Sequence, residues 1–503
     1  MYKNILANLI SRIWSLISIF IFIPLYIHFL GIELYGLVSF FATMQSVLFL
    51  LDAGLSATLR REFSFGESNL ENSIRRYKLL RSIEFCYLII TSTTIILCFL
   101  GAEFIVNKWL NIGNINPSIA ITTIRLMGVS IALQFLSTLY YGGLLGLQKQ
   151  VITNIYQIGW SLLKNGCVLL ILWLITPDIR LFYIWFIFTD LLYLALLRIK
   201  IYRSLSIDNK YSWNFKELNN LKNIWKYASG ILTISIISAF NFQLDKIAIS
   251  KFLPISDLGT YNLAFSLSQI PVILVNAISI AIFPRFVNYY STNESQKLQS
   301  LFTFANKILG IFAICVSISI CFYAQELFVF WTRNPELSSN AWLPATILTI
   351  GSLFLALQII PFNLALAHGV TIINTVYGLI NISVLIPLLL ILIKSYGIIG
   401  AALSWFLILL IFTPFYNCYI YNKFINNNWL KWFLKDTIFP LFFVFVLSTI
   451  FYIVGTLSNL NSSYVIIYAI FTGMAVLTLT IYIFNKNIFS KIKQEIEMHK
   501  IIN

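Results

Sequence analysis

The stretch ISRIWSLISIFIFIPLYIHFLGIELYGLVSFFATMQSVLFLLDAGLSATLRR, Ile10 to Arg61, holds two long apolar runs parted by a short break at Gly31-Ile32-Glu33. Its charged residues are Arg12, Glu33, Asp52, Arg60 and Arg61. A helix on the surface of a water-soluble domain keeps one polar face, whereas these runs are apolar all round. In hydrocarbon only a helix or a closed barrel satisfies its own backbone, and a helix needs about 20 mostly apolar residues to cross. The stretch therefore predicts a hairpin of two spanning helices, at approximately 8 to 30 and 35 to 59.

The rest of the chain continues the pattern. A composition of 59% hydrophobic, 16% aromatic and 11% charged residues over 503 positions excludes the soluble classes. Twelve further runs follow, at approximately 79 to 101, 119 to 145, 151 to 175, 181 to 197, 227 to 252, 258 to 283, 308 to 330, 345 to 367, 370 to 393, 400 to 421, 437 to 456 and 464 to 484. The fold class they define is an all-α polytopic membrane protein of about 14 transmembrane helices. A net charge of +15 suits nucleic acid too, but the Lys and Arg residues gather in alternate connections, on the side of the N-terminus. That is the positive-inside pattern, and it predicts that both termini are cytoplasmic. The first run contains Arg12, is too long for a signal-peptide core and has no small-residue cleavage site behind it, so it is expected to remain as the first helix. Cys86, Cys98, Cys167, Cys315, Cys321 and Cys418 all fall inside runs without metal-ligand spacing. They read as small packing residues.

Two segments echo each other. FLGIELYGLVSFFATMQ, Phe29 to Gln45, resembles FLPISDLGTYNLAFSLSQ, Phe252 to Gln269, which begins 223 residues later. Six runs separate them, so the second copy has the orientation of the first, and parallel repeats of this kind are related by an axis along the membrane normal. The expected division is an N-lobe of six helices at 1–200, a basic cytoplasmic linker at 201–226, a C-lobe of six helices at 227–421, and an appended helix pair with a cytoplasmic tail at 422–503. The linker mixes Lys and Arg with Trp and Tyr, which suits an anionic inner leaflet as well as plain solvent.

An ionised side chain inside a span costs at least ~2.5–3.5 kcal/mol, so each needs a partner or a wet path. The first seven runs carry Arg12, Asp52, Arg125, Lys164, Asp190, Asp245 and Lys246, while the interiors of the last seven carry no such group. Lys164 and Asp190 fall near the midplane of adjacent antiparallel helices, as an ion pair or as a hydrated site. Arg12 and Asp52 lie in the cytoplasmic half, where Arg12 is long enough to reach the headgroups. Asp245 and Lys246 diverge by about 100° on one helix, so one of them is expected to face the space between the lobes. Uncharged polar residues extend the path into the C-lobe: Asn241, Gln243, Gln269, Asn276, Gln358, Asn363, Asn374 and Asn381. They suit hydroxyl-rich ligands and interhelical hydrogen bonds alike. Pro271, Pro361, Pro387 and Pro414 are expected to bend the helices there.

With these residues in place the opening resembles the bacterial O-antigen flippases of the Wzx type, in the multidrug/oligosaccharidyl-lipid/polysaccharide exporter superfamily. The resemblance rests on Ser11-Arg12, Pro24 with the following FLG turn, Tyr35-Gly36, Asp52-Ala53-Gly54-Leu55 and Arg60, and on Leu244 to Pro271, which is similar to the family's seventh and eighth helices. It extends over the whole chain, although the helix count exceeds the commoner twelve and resembles the lipid II flippases of the same superfamily. It implies a V-shaped pair of lobes in the bacterial inner membrane that alternates between inward-open and outward-open states. The implied cargo is an oligosaccharide on undecaprenyl pyrophosphate, passed from the cytoplasmic to the periplasmic leaflet. No cofactor is expected; the partners are the lipid-linked oligosaccharide, membrane lipids and other polysaccharide-assembly membrane proteins, with no nucleic acid. A diphosphate needs cations. Arg12, Arg60 and Arg61 are expected to receive it, Lys164 to hold it partway, and Arg125 and Lys246 to line its exit. Asp52 is expected to orient an arginine, and Asp190 or Asp245 to carry a coupling proton or sodium ion.

Two other readings compete. A drug/cation antiporter of the same superfamily favours an acidic cavity, whereas basic residues outnumber acidic ones in the first seven runs. A membrane polysaccharide polymerase or glycosyltransferase needs catalytic groups over a donor, yet the longest external connection, 102–118, offers Glu103 without a second carboxylate. The cytoplasmic linker has no DxD and no glycine-rich phosphate loop.

Overall fold

The computed structural model describes residues 2–52, 54–64, 70–205, 236–237, 240–370, 372–425, 429–457 and 462–484. Most of the expected linker and the tail beyond 484 lie outside them. Among the described residues the chain forms helices, turns and a single isolated bridge between Asn111 and Pro254. Eleven of these helices are long and apolar enough to cross a membrane. Two of the eleven, Ile13–Leu48 and Ile372–Ile425, each contain two helices joined at a glycine with positive φ, Gly31 at 77° and Gly397 at 57°. With these read as pairs, and with residues 240–250 helical in the seventh run, most of whose earlier part lies outside the described residues, the described helices follow the fourteen apolar runs in order. The protein is a multi-pass, all-α membrane protein.

Contacts divide the chain into two compact units, Met1–Thr260 and Tyr261–Asn503. The first contains α1 (Tyr2–Leu48), α2 (Leu55–Ser64), α3 (Leu70–Phe104), α4 (Pro117–Gly146), α5 (Gln150–Ser161), α6 (Cys167–Leu174) and α7 (Ile179–Leu205). Between α5 and α6 the chain makes a π-helical turn, Leu162–Gly166. Its core gathers α2, α3, α4 and α7 around Leu59, Phe63, Ile83, Tyr87, Leu139 and Ile201. Residues 240–250 belong with this unit: Ser250 accepts a hydrogen bond from the Trp109 indole at 3.1 Å.

The two echoing segments meet each other. Gly36 lies so close to the carbonyl of Ile255 that a Cβ there would collide with it, and a Cβ on Gly259 would lie 3.1 Å from the carbonyl oxygen of Ile32. Ile32 and Ile255, like Gly36 and Gly259, are separated by the 223 positions of the echo. The contact is therefore reciprocal, the same glycine–isoleucine pair on each side, as at a two-fold interface. Small residues let spanning helices approach this closely.

In the second part of the chain α8 (Ile255–Ser268) leads to α9 (Ile270–Ser291), α10 (Ser295–Phe322), α11 (Ala324–Thr332), α12 (Pro335–Ala367), α13 (Ile372–Ile420), α14 (Phe439–Leu457) and α15 (Ser462–Phe484). The core of the second unit contains Phe302, Ile314, Leu357 and Ile420, and it takes in Val444 and Val476 of the last two helices. Lys307 also pairs with Asp436 at 3.4 Å, just ahead of α14. Of the four prolines expected to bend helices, Pro271 does otherwise. It stands in the first turn of α9, where its missing N–H lacks an intrahelical partner in any case. Pro361, Pro387 and Pro414 lie inside helices.

Candidate functional site

The centre of the first unit is ionic. Lys164, in the π-helical turn, donates to both carboxylate oxygens of Asp190 on α7, at 3.0 and 3.2 Å. Both are buried, Lys164 to 4% exposure and Asp190 to 0%. Asp190 also accepts from the Ser130 hydroxyl at 2.5 Å, the Gln134 amide at 3.1 Å and the Trp160 indole at 3.0 Å. The ammonium lies 4.3 Å from the ring centre of Phe186 and 4.9 Å from that of Trp160. A buried pair of this kind is stable only with its remaining lone pairs satisfied, and these are. Single π-turns inside helices recur at functional positions; here the turn carries the buried cation.

Polar groups continue from this pair toward a cleft of about 200 Å³ bordered by Gln45, Gln134, Tyr141, Gln157 and Trp160. Gln45 donates to Gln134 at 2.6 Å, and Gln157 accepts from Ser11 at 3.3 Å and Tyr141 at 3.2 Å. A hydrogen-bonded seam thus joins α1, α4, α5 and α7. Gln45, Ser130, Gln134, Gln157 and Trp160 escaped the sequence reading. Their signal was an uncharged polar group within an apolar run.

The other expected charges stand apart. Arg60 and Arg61 are exposed on α2. Among the described residues the Asp52 carboxylate accepts from the Tyr87 hydroxyl and from the Ser56 hydroxyl at 2.5 Å. Arg125 of α4 pairs with the exposed Glu103 at 3.1 Å. Asp245 and Lys246 are both buried, and the Asp245 carboxylate accepts from the Lys246 backbone N–H at 2.8 Å while the Lys246 ammonium reaches the Phe242 carbonyl at 3.4 Å. Arg12 lies in α1, its side chain outside the described residues.

Of the polar residues expected along the path, Asn241 donates to the Ile237 carbonyl at 2.9 Å and Gln243 is half-buried. Gln269 donates to Ser352 at 3.1 Å, Asn363 donates to Ser279 at 2.5 Å, and Asn276 is exposed. Gln358 and Asn374 accept from Tyr377 at 3.1 Å and Tyr416 at 2.6 Å, two tyrosines whose rings are 4.7 Å apart. The structure thus draws Gln358 and Asn374 together and leaves Gln269 and Asn363 in separate interhelical bonds. Next to this tyrosine pair on α13, Asn381 Oδ1 and Asn417 Oδ1 are buried without a hydrogen-bond partner among the described residues. Buried polar atoms of this kind are ordinarily satisfied by water or ligand.

Many spanning helices around buried ionic and polar groups define a membrane transporter. The family model described as polysaccharide biosynthesis protein matches residues 1–290, more than half of the chain, and the protein belongs to this family. Over 389 residues it is 24% identical to a Shigella flexneri protein named "Putative O-antigen transporter", covering 75% of this chain and 87% of that one. The fold is similar to that of a solved structure described as lipid II flippase MurJ, inward closed conformation, with a TM-score of 0.72 at 17% identity over 97% of this chain and 100% of that one. An inward-facing multidrug resistance MATE family transporter of the MOP superfamily matches with a TM-score of 0.64 at 11% identity, over 82% of this chain and 95% of that one.

Proposed function

We propose that the protein is a flippase that carries an undecaprenyl-pyrophosphate-linked oligosaccharide, an O-antigen or similar repeat unit, from the cytoplasmic to the periplasmic leaflet of the inner membrane by alternating access. Both termini are cytoplasmic, and no covalent chemistry is performed. The observation that carries this reading is the buried Lys164–Asp190 pair at the head of a polar seam, in a chain of the polysaccharide biosynthesis family. Each unpaired sugar hydroxyl costs a few kcal/mol (about 2–7) in an apolar medium, so the headgroup needs such a seam while the polyprenyl tail stays in lipid.

In this structure Lys164 is committed to Asp190, which sets the chemistry of the step. A diphosphate that reaches the seam competes with the Asp190 carboxylate for one ammonium, and a proton or sodium ion on Asp190 releases that ammonium to the cargo. Cargo and coupling ion thus act on the same pair. Arg60 and Arg61, with Arg12, receive the diphosphate. Arg125, whose exposed pair with Glu103 is weakly held, and Lys246 stand on its exit. One charge crossing 100 mV supplies about 2.3 kcal/mol.

Surface polysaccharide in a complementation assay tests the reading. Lys164→Ala and Asp190→Asn are each expected to abolish it with the protein present in the membrane, and Arg60→Ala/Arg61→Ala to reduce it. Wild-type polysaccharide from both Lys164→Ala and Asp190→Asn would overturn the anion path. A drug/cation antiporter needs an unneutralised acid in its cavity, and here Lys164 neutralises Asp190. Cation-coupled ethidium efflux would favour that rival.

A further inference from the structure

A second ionic centre lies at the end of α3 and α7 away from the Lys164 seam. Glu84 is buried to 4% exposure and its carboxylate is shared by two tyrosines and two arginines. Oε1 accepts from the Tyr140 hydroxyl at 2.6 Å and lies 3.3 Å from the Arg198 guanidinium as an ion pair; Oε2 accepts from the Tyr202 hydroxyl at 2.6 Å and from Arg81 at 3.3 Å. One negative charge therefore holds two guanidinium groups. Both arginines stack on Tyr202, at 5.3 and 5.8 Å from its ring centre, and both are exposed, with side chains at 37% and 51%. They line an open cleft of about 410 Å³ together with Arg203, Ile199 and Tyr202.

Three arginines against one buried carboxylate leave this cleft with a formal excess of two positive charges, and Glu84 holds two of the three, Arg81 and Arg198, in place before any ligand arrives. The cleft also has an apolar continuation. Leu88 stands seven residues beyond Arg81, and Leu191 seven before Arg198, so each shares the face of its arginine. Both leucines are exposed, at 46% and 49%. Arg81 lies where the apolar part of α3 begins, which puts the cleft at headgroup depth and the leucines in hydrocarbon.

We propose that this cleft is a binding site for an anionic membrane phospholipid, whose phosphodiester sits between Arg81, Arg198 and Arg203 and whose acyl chain follows Leu88 and Leu191. Planar guanidinium groups match phosphate oxygens two at a time. The acyl chain covers an apolar face that would otherwise meet any lipid without preference. Glu84 holds the arginines and does not touch the lipid. The proposal is independent of the cargo path and survives if that reading fails.

Native mass spectrometry of the full-length protein with phosphatidylglycerol, phosphatidylcholine and inorganic phosphate tests it. Phosphatidylglycerol should be retained in preference to phosphatidylcholine. Arg203→Gln, which leaves the Glu84 contacts intact, should lower that preference about fivefold, whereas Leu88→Ser/Leu191→Ser should weaken the retention of both lipids. The variant Arg81→Gln/Arg198→Gln/Glu84→Gln removes the paired arginines and their carboxylate together, avoids stranding a buried carboxylate, leaves Arg203 in place and should lower the preference at least as far. An unchanged preference in Arg203→Gln and in the triple variant would overturn the proposal. So would displacement of phosphatidylglycerol by inorganic phosphate at equal concentration, because the apolar stripe would then contribute nothing. Tenfold stronger retention of undecaprenyl diphosphate would overturn it too, making the cleft an entry port for cargo.

Discussion

At the scale of single residues, the buried Lys164–Asp190 pair is held by four neighbours, and its value is asymmetric. Removing one partner of a buried pair strands the other charge and costs about 3–5 kcal/mol, whereas replacing both with apolar groups is often neutral. Lys164→Met alone is therefore expected to lower the thermal stability of the purified protein strongly, and Lys164→Met/Asp190→Leu to restore most of it while polysaccharide export stays lost. Equal stability of the single and double variants would mean that the pair is wetted rather than dry. Tyr87→Phe is expected to cost about 1.5–3 kcal/mol by removing a donor from the Asp52 carboxylate, read in the same unfolding assay. The pairing of Lys164 with Asp190 was legible in the sequence because an intramembrane charge is costly and two opposite ones lay at one depth. Ser130, Gln134 and Trp160 were not, since an uncharged polar residue in a span is common and signals nothing about its partner. The Tyr87 and Ser56 partners of Asp52 were not legible because its charge drew attention to arginines, whereas Ser56, four residues along, is its near neighbour in the chain. Glu84 sat close to the edge of an apolar run, where a charge carries little penalty and so little information.

At the scale of helices, hydropathy placed all fourteen runs because the solvent imposes one length and one composition on each. It did not show that the run at 258 to 283 is two helices, Ile255–Ser268 and Ile270–Ser291. Gln269 keeps helical dihedrals (φ −79°, ψ −7°) and neither it nor Pro271 is charged, so the division leaves no trace in hydropathy. Nor did it show how far α3 extends beyond the membrane: 35 residues span about 52 Å at 1.5 Å each, well past a hydrocarbon core of about 30 Å. The echo between Phe29–Gln45 and Phe252–Gln269 was legible, but its physical meaning was not. Gly36 and Gly259 are conserved within the chain because each faces the backbone of the other copy at a distance that excludes a side chain. Gly36→Val and Gly259→Val are each expected to destabilise the fold by at least about 1–3 kcal/mol. Because both act on one seam, the double variant should cost less than the sum of the two. Additive losses in thermal unfolding would separate the two contacts and remove the reciprocal seam.

At the scale of the whole molecule, the proposed function has a charged, hydroxyl-rich headgroup pass along the seam around Lys164 and Asp190, with the lipid tail left outside. The chain belongs to the polysaccharide biosynthesis family, and in the proposed function Lys164 supplies the cation that a diphosphate needs. The Glu84 cleft adds a second role for basic residues, toward the surrounding bilayer, so cargo-path and lipid-facing cations are expected to separate in mutation. Arg203→Gln should leave surface polysaccharide far less affected than Lys164→Ala, and matching losses would merge the two sites into one. The central claim is tested most directly by leaflet-specific labelling of the undecaprenyl-pyrophosphate-linked oligosaccharide in cells. With the intact protein the labelled sugar is predicted to become accessible from the periplasmic side, and with Lys164→Ala or Asp190→Asn to stay on the cytoplasmic side. Periplasmic labelling at the wild-type rate in both variants, or in cells lacking the protein, would contradict it.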